Sequence, residues 1–190
     1  MHAHVLVPVK RLDAAKSRLE AALSADERAA LMRTMLLDVL GAIRAAEVGP
    51  VTIVSSEPLA YDGVPRWDDR GLAWNDALAA AMRELVREEC AAVISADLPF
   101  LQAAEVEALV AATPQRGIAI GRAHDGGTNA VSMRPPGVLR TRFGEPSSAA
   151  LHARTAEEAG LEAAIVDLPG LAFDVDTPAD LERLRARAGA

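Results

Sequence analysis

A three-layer α/β/α domain with a mostly parallel sheet is what this sequence predicts. Three observations lead there. Short β-branched runs alternate with longer helical patterns, the linkers are short, and no repeat, low-complexity tract or domain boundary divides residues 1–190. The first strand is expected at 5–9, where valines alternate through Val5, Val7 and Val9, and a helix is expected at 14–22. The helix at 26–46 has the clearest period: Leu31, Met35, Val39 and Ile43 recur at helical spacing, and Leu36 and Leu40 widen the stripe into a core face. Further strands are expected at 51–54, 92–95, 118–120, 130–133 and 164–168, each a short apolar run. Helices are expected at 75–88, 103–112, 148–159 and 178–187. Thr177, Pro178 and Asp180 open the last of these as N-cap, N1 and N3. In a Rossmann-like sheet of this kind the binding crevice lies beyond the carboxyl ends of the strands. The residues just after each strand therefore decide function.

Composition narrows the classes. A net charge of −7 argues against a general nucleic-acid surface but leaves room for a local basic pocket. No stretch approaches the roughly 20 uninterrupted apolar residues of a membrane helix. The run at 5–9 is too short for a signal peptide, and its cations Lys10 and Arg11 follow rather than precede it. The lone Cys90 cannot form an internal disulfide, and it reads as a small, partly buried side chain. A cytoplasmic protein is expected.

Four constellations follow the strands. Lys10, Arg11, Lys16 and Arg18 gather where a strand enters a helix, an arrangement suited to neutralising a triphosphate, although a solvated helix face explains them as well. No Walker or G-x-G-x-x-G loop is present. Asp97, in Ser95-Ala96-Asp97-Leu98-Pro99, ends an apolar strand where a carboxylate can hold a hard cation; an Asx turn is the alternative. Asp174 and Asp176 are different. They should point the same way in an extended segment, where they repel unless water or a cation separates them, and a divalent metal shared with Asp97 would remove the conflict. The fourth group joins Gly126-Gly127-Thr128-Asn129 to Phe143-Gly144-Glu145-Pro146-Ser147-Ser148, where Ser147 or Ser148 is expected to cap a helix whose N-terminus suits an anion. His124 and His152 lack metal-ligand spacing and are expected in loops or at the rim. No Ser-His-Asp or Cys-His arrangement stands out.

In this order the pieces resemble the guanylyltransferases of coenzyme F420 biosynthesis, a branch of the molybdopterin-type nucleotidyltransferases. The resemblance rests on Val7-Pro8-Val9-Lys10 with Ala15-Lys16-Ser17-Arg18-Leu19, Ala96-Asp97-Leu98-Pro99, Gly127-Thr128-Asn129-Ala130, Phe143-Gly144 with Ser147, and Asp174-Val175-Asp176-Thr177-Pro178. It implies a nucleotide-diphospho-sugar transferase type of fold and transfer of GMP from GTP to phosphoenolpyruvate, 2-phospho-L-lactate or 3-phosphoglycerate. Metal ligation by Asp97 and Asp176 or Asp174 is implied, with Mg²⁺ or Mn²⁺ as cofactor. Lys10, Lys16 and Arg18 would face the triphosphate, Asn75 the base or ribose, and Thr128, Gly144 and Ser147 the carboxylate of the acceptor. A homodimer and hand-off of product to the next enzyme are also implied. Ala73-Trp74 stands where the family commonly has Gly-Leu. The rivals are a molybdopterin-type nucleotidyltransferase, which should carry a glycine-rich opening, and a non-catalytic nucleotide-binding module, which has no reason to keep Asp97 and Asp176 together.

Overall fold

In the computed structural model, which describes residues 1–10, 16–61 and 63–188, the strands form one seven-stranded sheet. In chain order the elements are β1 (His4–Pro8), α1 (Ala25–Ala45), β2 (Val51–Val54), β3 (Arg66–Trp67), α2 (Trp74–Glu84), β4 (Ala91–Ile94), α3 (Ala103–Ala111), β5 (Gly117–Arg122), β6 (Thr128–Arg134), α4 (Ser148–Glu158), β7 (Glu162–Val166), α5 (Pro169–Ala172) and α6 (Pro178–Ala188). The sheet order is β3-β2-β1-β4-β6-β5-β7. Only the pairings of β6 are antiparallel, so six strands share one direction and β6 opposes them.

Period two with both faces covered explains the near-continuous apolar strands. In β1, Val5 and Val7 join the core beneath α1 and α3, while Leu6 joins the core beneath α2 and α4. The α1 stripe buries Met35, Leu36, Val39, Leu40 and Ile43 as the spacing requires. Each such side chain contributes roughly 2 kcal/mol by leaving water. Ser24 starts this helix with a reciprocal cap: its Oγ accepts the Glu27 N–H at 3.3 Å, and the Glu27 carboxylate accepts the Ser24 N–H at 2.7 Å.

Several boundaries differ from expectation. The helix expected at 14–22 falls partly outside the described residues; from Lys16 on, the chain forms a 3-10 turn, Ser17–Leu19, that drops Leu19 into the core. A turn that short offers no helix N-terminus for phosphate. β3 has only two residues, too few for a period to register. β7 ends two residues earlier than expected because Leu168 and Pro169 serve as N-cap and N1 of α5. Among the described residues, no helix is long and apolar enough to cross a membrane.

The reversal of β6 positions the site. Ala130 pairs with Ile94, so the start of β6 lies beside the carboxyl end of β4, and the Ser95 N–H donates to the Asn129 carbonyl at 2.9 Å. Asp97 and Thr128 thus share one edge. From the other side α5 docks on α3 through Gly170, whose N–H donates to buried Glu105 at 2.7 Å. A Cβ at Gly170 would collide with that carboxylate and with the Phe100 carbonyl. The docking delivers residues 173–177 to the same edge.

Candidate active site

A cleft of about 740 Å³ opens at that edge, a size suited to a small-molecule ligand. Its lining includes Lys10, Lys16, Arg18, Asp97, Thr128, Gly144, Ser147, Asp174 and Asp176. One corner is acidic. Val175 is buried and its neighbours Asp174 and Asp176 face the cleft, the alternation expected of an extended segment. Carboxylate oxygens of Asp97, Asp174 and Asp176 all lie within 4.8 Å of one another.

Two features show the strain of gathering these charges. Lys16, whose side chain is only 6% exposed, donates from Nζ to Asp97 and, at 2.7 Å, to Asp176. Burial pulls the Lys16 pKa down, but Asp97 and Asp176 outweigh it and hold the group above its ordinary value, so it stays an ammonium. Burial, then the charges of Asp97 and Asp176, pushes the Asp174 carboxyl up to about 6, against the opposing pull of the Asn129 hydrogen bond and Lys16. Asn129 Nδ2 reaches Asp174 Oδ1 at 3.2 Å. Arg18 stands 3.7 Å from Asp176 at the open side. The corner is therefore built around positive charge, and three hard oxygen donors at this spacing fit Mg²⁺ or Mn²⁺. Lys10 lies apart, its ammonium 4.7 Å from the centre of the Trp74 ring.

Across the cleft the wall is built mainly of neutral hydrogen-bonding groups, with Asp125 and the Arg142-paired Glu145 as its charged members. Thr128 opens β6, and its Oγ1 accepts from Ser148 Oγ at 2.9 Å and contacts His152 Nδ1 at 3.1 Å. His152 Nε2 accepts the backbone N–H of Arg142 at 2.8 Å. Gly144 adopts φ 78°, a left-handed conformation that suits glycine. Ser147 stands at the N-cap position of α4 with φ 52°, exposed to the cleft and making no side-chain cap bond.

Every expected site residue except Asn75 reaches this cleft. Asn75 instead holds the loop before Gly144: its Oδ1 accepts from Thr141 Oγ1 at 2.9 Å and Phe143 N at 3.0 Å, and its Nδ2 donates to the Phe143 carbonyl at 3.1 Å. The expectation of a serine cap on α4 is corrected, since Ser147 makes no such bond and the Ser148 hydroxyl goes to Thr128. His152 is also corrected. It is fully buried on the inner face of α4, not at a rim, because both ring nitrogens have partners inside. His124 does sit at the rim, 3.6 Å from Asp174. Cys90 is wholly buried beside Ser132, and burial raises its pKa, as befits an inert thiol. Asn129, which lines the cleft and reaches Asp174, and His152, which contacts Thr128, are not among the expected site residues. Only the position of Asn129 beside Thr128 could have signalled it.

The family described as "Guanylyl transferase CofC like" matches residues 3–186. The chain is 42% identical over 192 residues to a phosphoenolpyruvate guanylyltransferase of Sphaerobacter thermophilus, covering 96% of this chain and 92% of that one. It is 40% identical over 177 residues to a 2-phospho-L-lactate guanylyltransferase of Natronomonas pharaonis, covering 93% of this chain and 82% of the relative. In fold it is similar to a nucleotidyl transferase of Methanothermobacter thermautotrophicus, with a TM-score of 0.70 at 13% identity over 98% of this chain and 97% of that one.

Proposed function

Because the chain belongs to the CofC-like guanylyl transferase family, we propose that it transfers GMP from GTP to a phosphorylated three-carbon acid, in coenzyme F420 assembly. Phosphoenolpyruvate and 2-phospho-L-lactate are the leading acceptors, by likeness to the relatives that carry those names. One observation carries the reading: three carboxylates and a buried ammonium face the Thr128 and Ser147 hydroxyls across one cleft.

In the reaction an oxygen of the acceptor's phosphate attacks the α-phosphorus of GTP in line. A new P–O bond forms, the bond from the α-phosphorus to the bridging oxygen breaks, and pyrophosphate leaves. The attacking phosphate is already anionic, so no general base is needed, consistent with His152 being buried behind Thr128. The difficulty is bringing two anions together. Lys10, Lys16 and Arg18 line the cleft as cations for the phosphates. Asp97, Asp174 and Asp176 would hold a divalent ion, which when bound supplies Lewis-acid neutralisation of phosphate oxygens. Thr128, Ser147 and the backbone at Gly144 would orient the acceptor's carboxylate.

The test is pyrophosphate release from a matrix of the four NTPs against phosphoenolpyruvate, 2-phospho-L-lactate and 3-phosphoglycerate, with and without EDTA. GTP with one of these acids should dominate, and EDTA should abolish turnover. Release with no acceptor present, or preference for another NTP, would overturn the proposal.

A further inference from the structure

His152 is the most deeply buried titratable group beside the cleft, and the chemistry above does not use it. Its bonding is determined by donor and acceptor counting. The Arg142 backbone N–H can only donate, so Nε2, which receives it at 2.8 Å, carries no proton. The neutral ring must then carry its proton on Nδ1, which is 3.1 Å from Thr128 Oγ1. Ser148 Oγ donates to the same oxygen at 2.9 Å. The Thr128 oxygen thus faces two donors from behind, Ser148 Oγ–H and the Nδ1–H that it shares with the Ser148 carbonyl. Its own proton remains, and the side that remains is the cleft, which Thr128 lines.

We propose that His152 is a positioning residue for the acceptor: with Ser148, it fixes the Thr128 hydroxyl as a hydrogen-bond donor aimed into the cleft, selecting an anionic oxygen of the substrate there. This rests on the reading of Thr128 as part of the acceptor site. A hydroxyl free to rotate would serve donors and acceptors alike and would have to be ordered on binding. A hydroxyl oxygen already facing two donors from behind disfavours substrate groups that can only donate. It matches a carboxylate, which can only accept. Burial holds the imidazole pKa below its ordinary value, opposed by the Ser148 carbonyl and Glu145 and aided by Arg142, so the ring remains neutral and its tautomer is set by these bonds.

Two substitutions separate the two ends of the ring. The side-chain amide of His152→Asn can occupy the place of Nδ1 and keep the donor to Thr128. His152→Gln reaches the place of Nε2 and keeps the acceptor for Arg142 while losing the Thr128 donor. His152→Gln should raise the acceptor KM about tenfold, the scale of one hydrogen bond to a charged group. His152→Asn should stay within about twofold, and the GTP KM should hold in both. Thr128→Ala is measured alongside. If it leaves the acceptor KM unchanged, the acceptor-site reading fails, and this inference with it. If Thr128→Ala raises that KM but the two His152 variants match each other, or GTP KM rises in parallel, only the role of His152 is overturned. On the unaltered protein, nitrogen NMR of the imidazole should report the Nδ1–H tautomer. An Nε2–H tautomer would overturn the proposal whether or not any variant folds.

Discussion

The two walls of the cleft are built on opposite principles. The acidic corner is held by charge: three carboxylates converge, Lys16 bridges two of them, and Asp174 is pushed up to about 6. The acceptor wall is held by neutral hydrogen bonds among Thr128, Ser148, His152 and the Arg142 N–H, with Asn75 bracing the adjoining loop. The first arrangement is only partly neutralised, with Lys16 bridging two of three carboxylates and Arg18 at the open side. The second is complete before any ligand arrives. In the proposed reaction the corner's excess of carboxylate would favour a divalent cation, and through it the triphosphate, while the prebuilt wall would orient the smaller substrate at little entropic expense.

The contrast can be broken most forcefully at Asp97. Asp97→Asn removes one ligand from the centre of the corner, and turnover should fall by about a thousandfold or more, roughly 4 kcal/mol of barrier. Steady-state kinetics at saturating Mg²⁺ measures this. A loss under about tenfold would mean that the corner does not serve catalysis.

Asp174 tests this partial neutralisation. Its carboxyl titrates higher in the folded chain than the ordinary value of 3.8. The folded state therefore binds the proton more tightly, and this group's contribution to stability is fully present below about pH 4 and lost as pH rises through about 6. Asp174→Asn should stabilise the metal-free protein at pH 7.5, by something on the order of 2–3 kcal/mol at most, and confer little at pH 4. Thermal melts at the two pH values in EDTA decide it. A variant that melts lower than the parent at pH 7.5 would show that the carboxylates are at ease with one another. Mg²⁺ should raise the melting temperature of the parent more than that of the variant.

On the acceptor wall, Ser147 sharpens the comparison. It makes no cap bond, so Ser147→Ala should leave stability nearly unchanged while raising acceptor KM about tenfold. Ser147→Gly, at φ 52°, should melt at or above the parent by up to about 1 kcal/mol yet show the same KM defect. If both variants lose stability and keep their KM, Ser147 belongs to the fold alone. The smallest effect is expected at Lys10, exposed above Trp74. Lys10→Met should weaken GTP binding only a few-fold, on the order of 0.5–1 kcal/mol, and high salt should shrink the difference. Calorimetry at two ionic strengths measures it, and equal affinities at low salt would return Lys10 to a solvated surface role.

Much of this was legible in the sequence because its signals are local. The α1 stripe, the Thr177–Asp180 cap and the alternation of Asp174, Val175 and Asp176 depend only on the repeat of helix or strand. Resemblance across whole motifs then suggested an acceptor role for Thr128, Gly144 and Ser147, which spacing alone does not specify. The sequence also determined that charge must be resolved somewhere, since two aspartates on one face of an extended segment repel unless water or a cation separates them. Only the tertiary structure decided which one stands there. Lys16 lies 160 positions from Asp176, and its pairing depends on how the 3-10 turn and the 173–177 segment meet above the sheet. The reversal of β6, which brings Thr128 beside Asp97, likewise follows from strand order rather than from any residue within β6. His152 reads as an isolated histidine on a helix until α4 packs against β5 and β7 and turns it inward. Hydrogen bonds between distant segments leave no periodic trace in a chain, so the acceptor wall becomes visible only when those segments have been brought together.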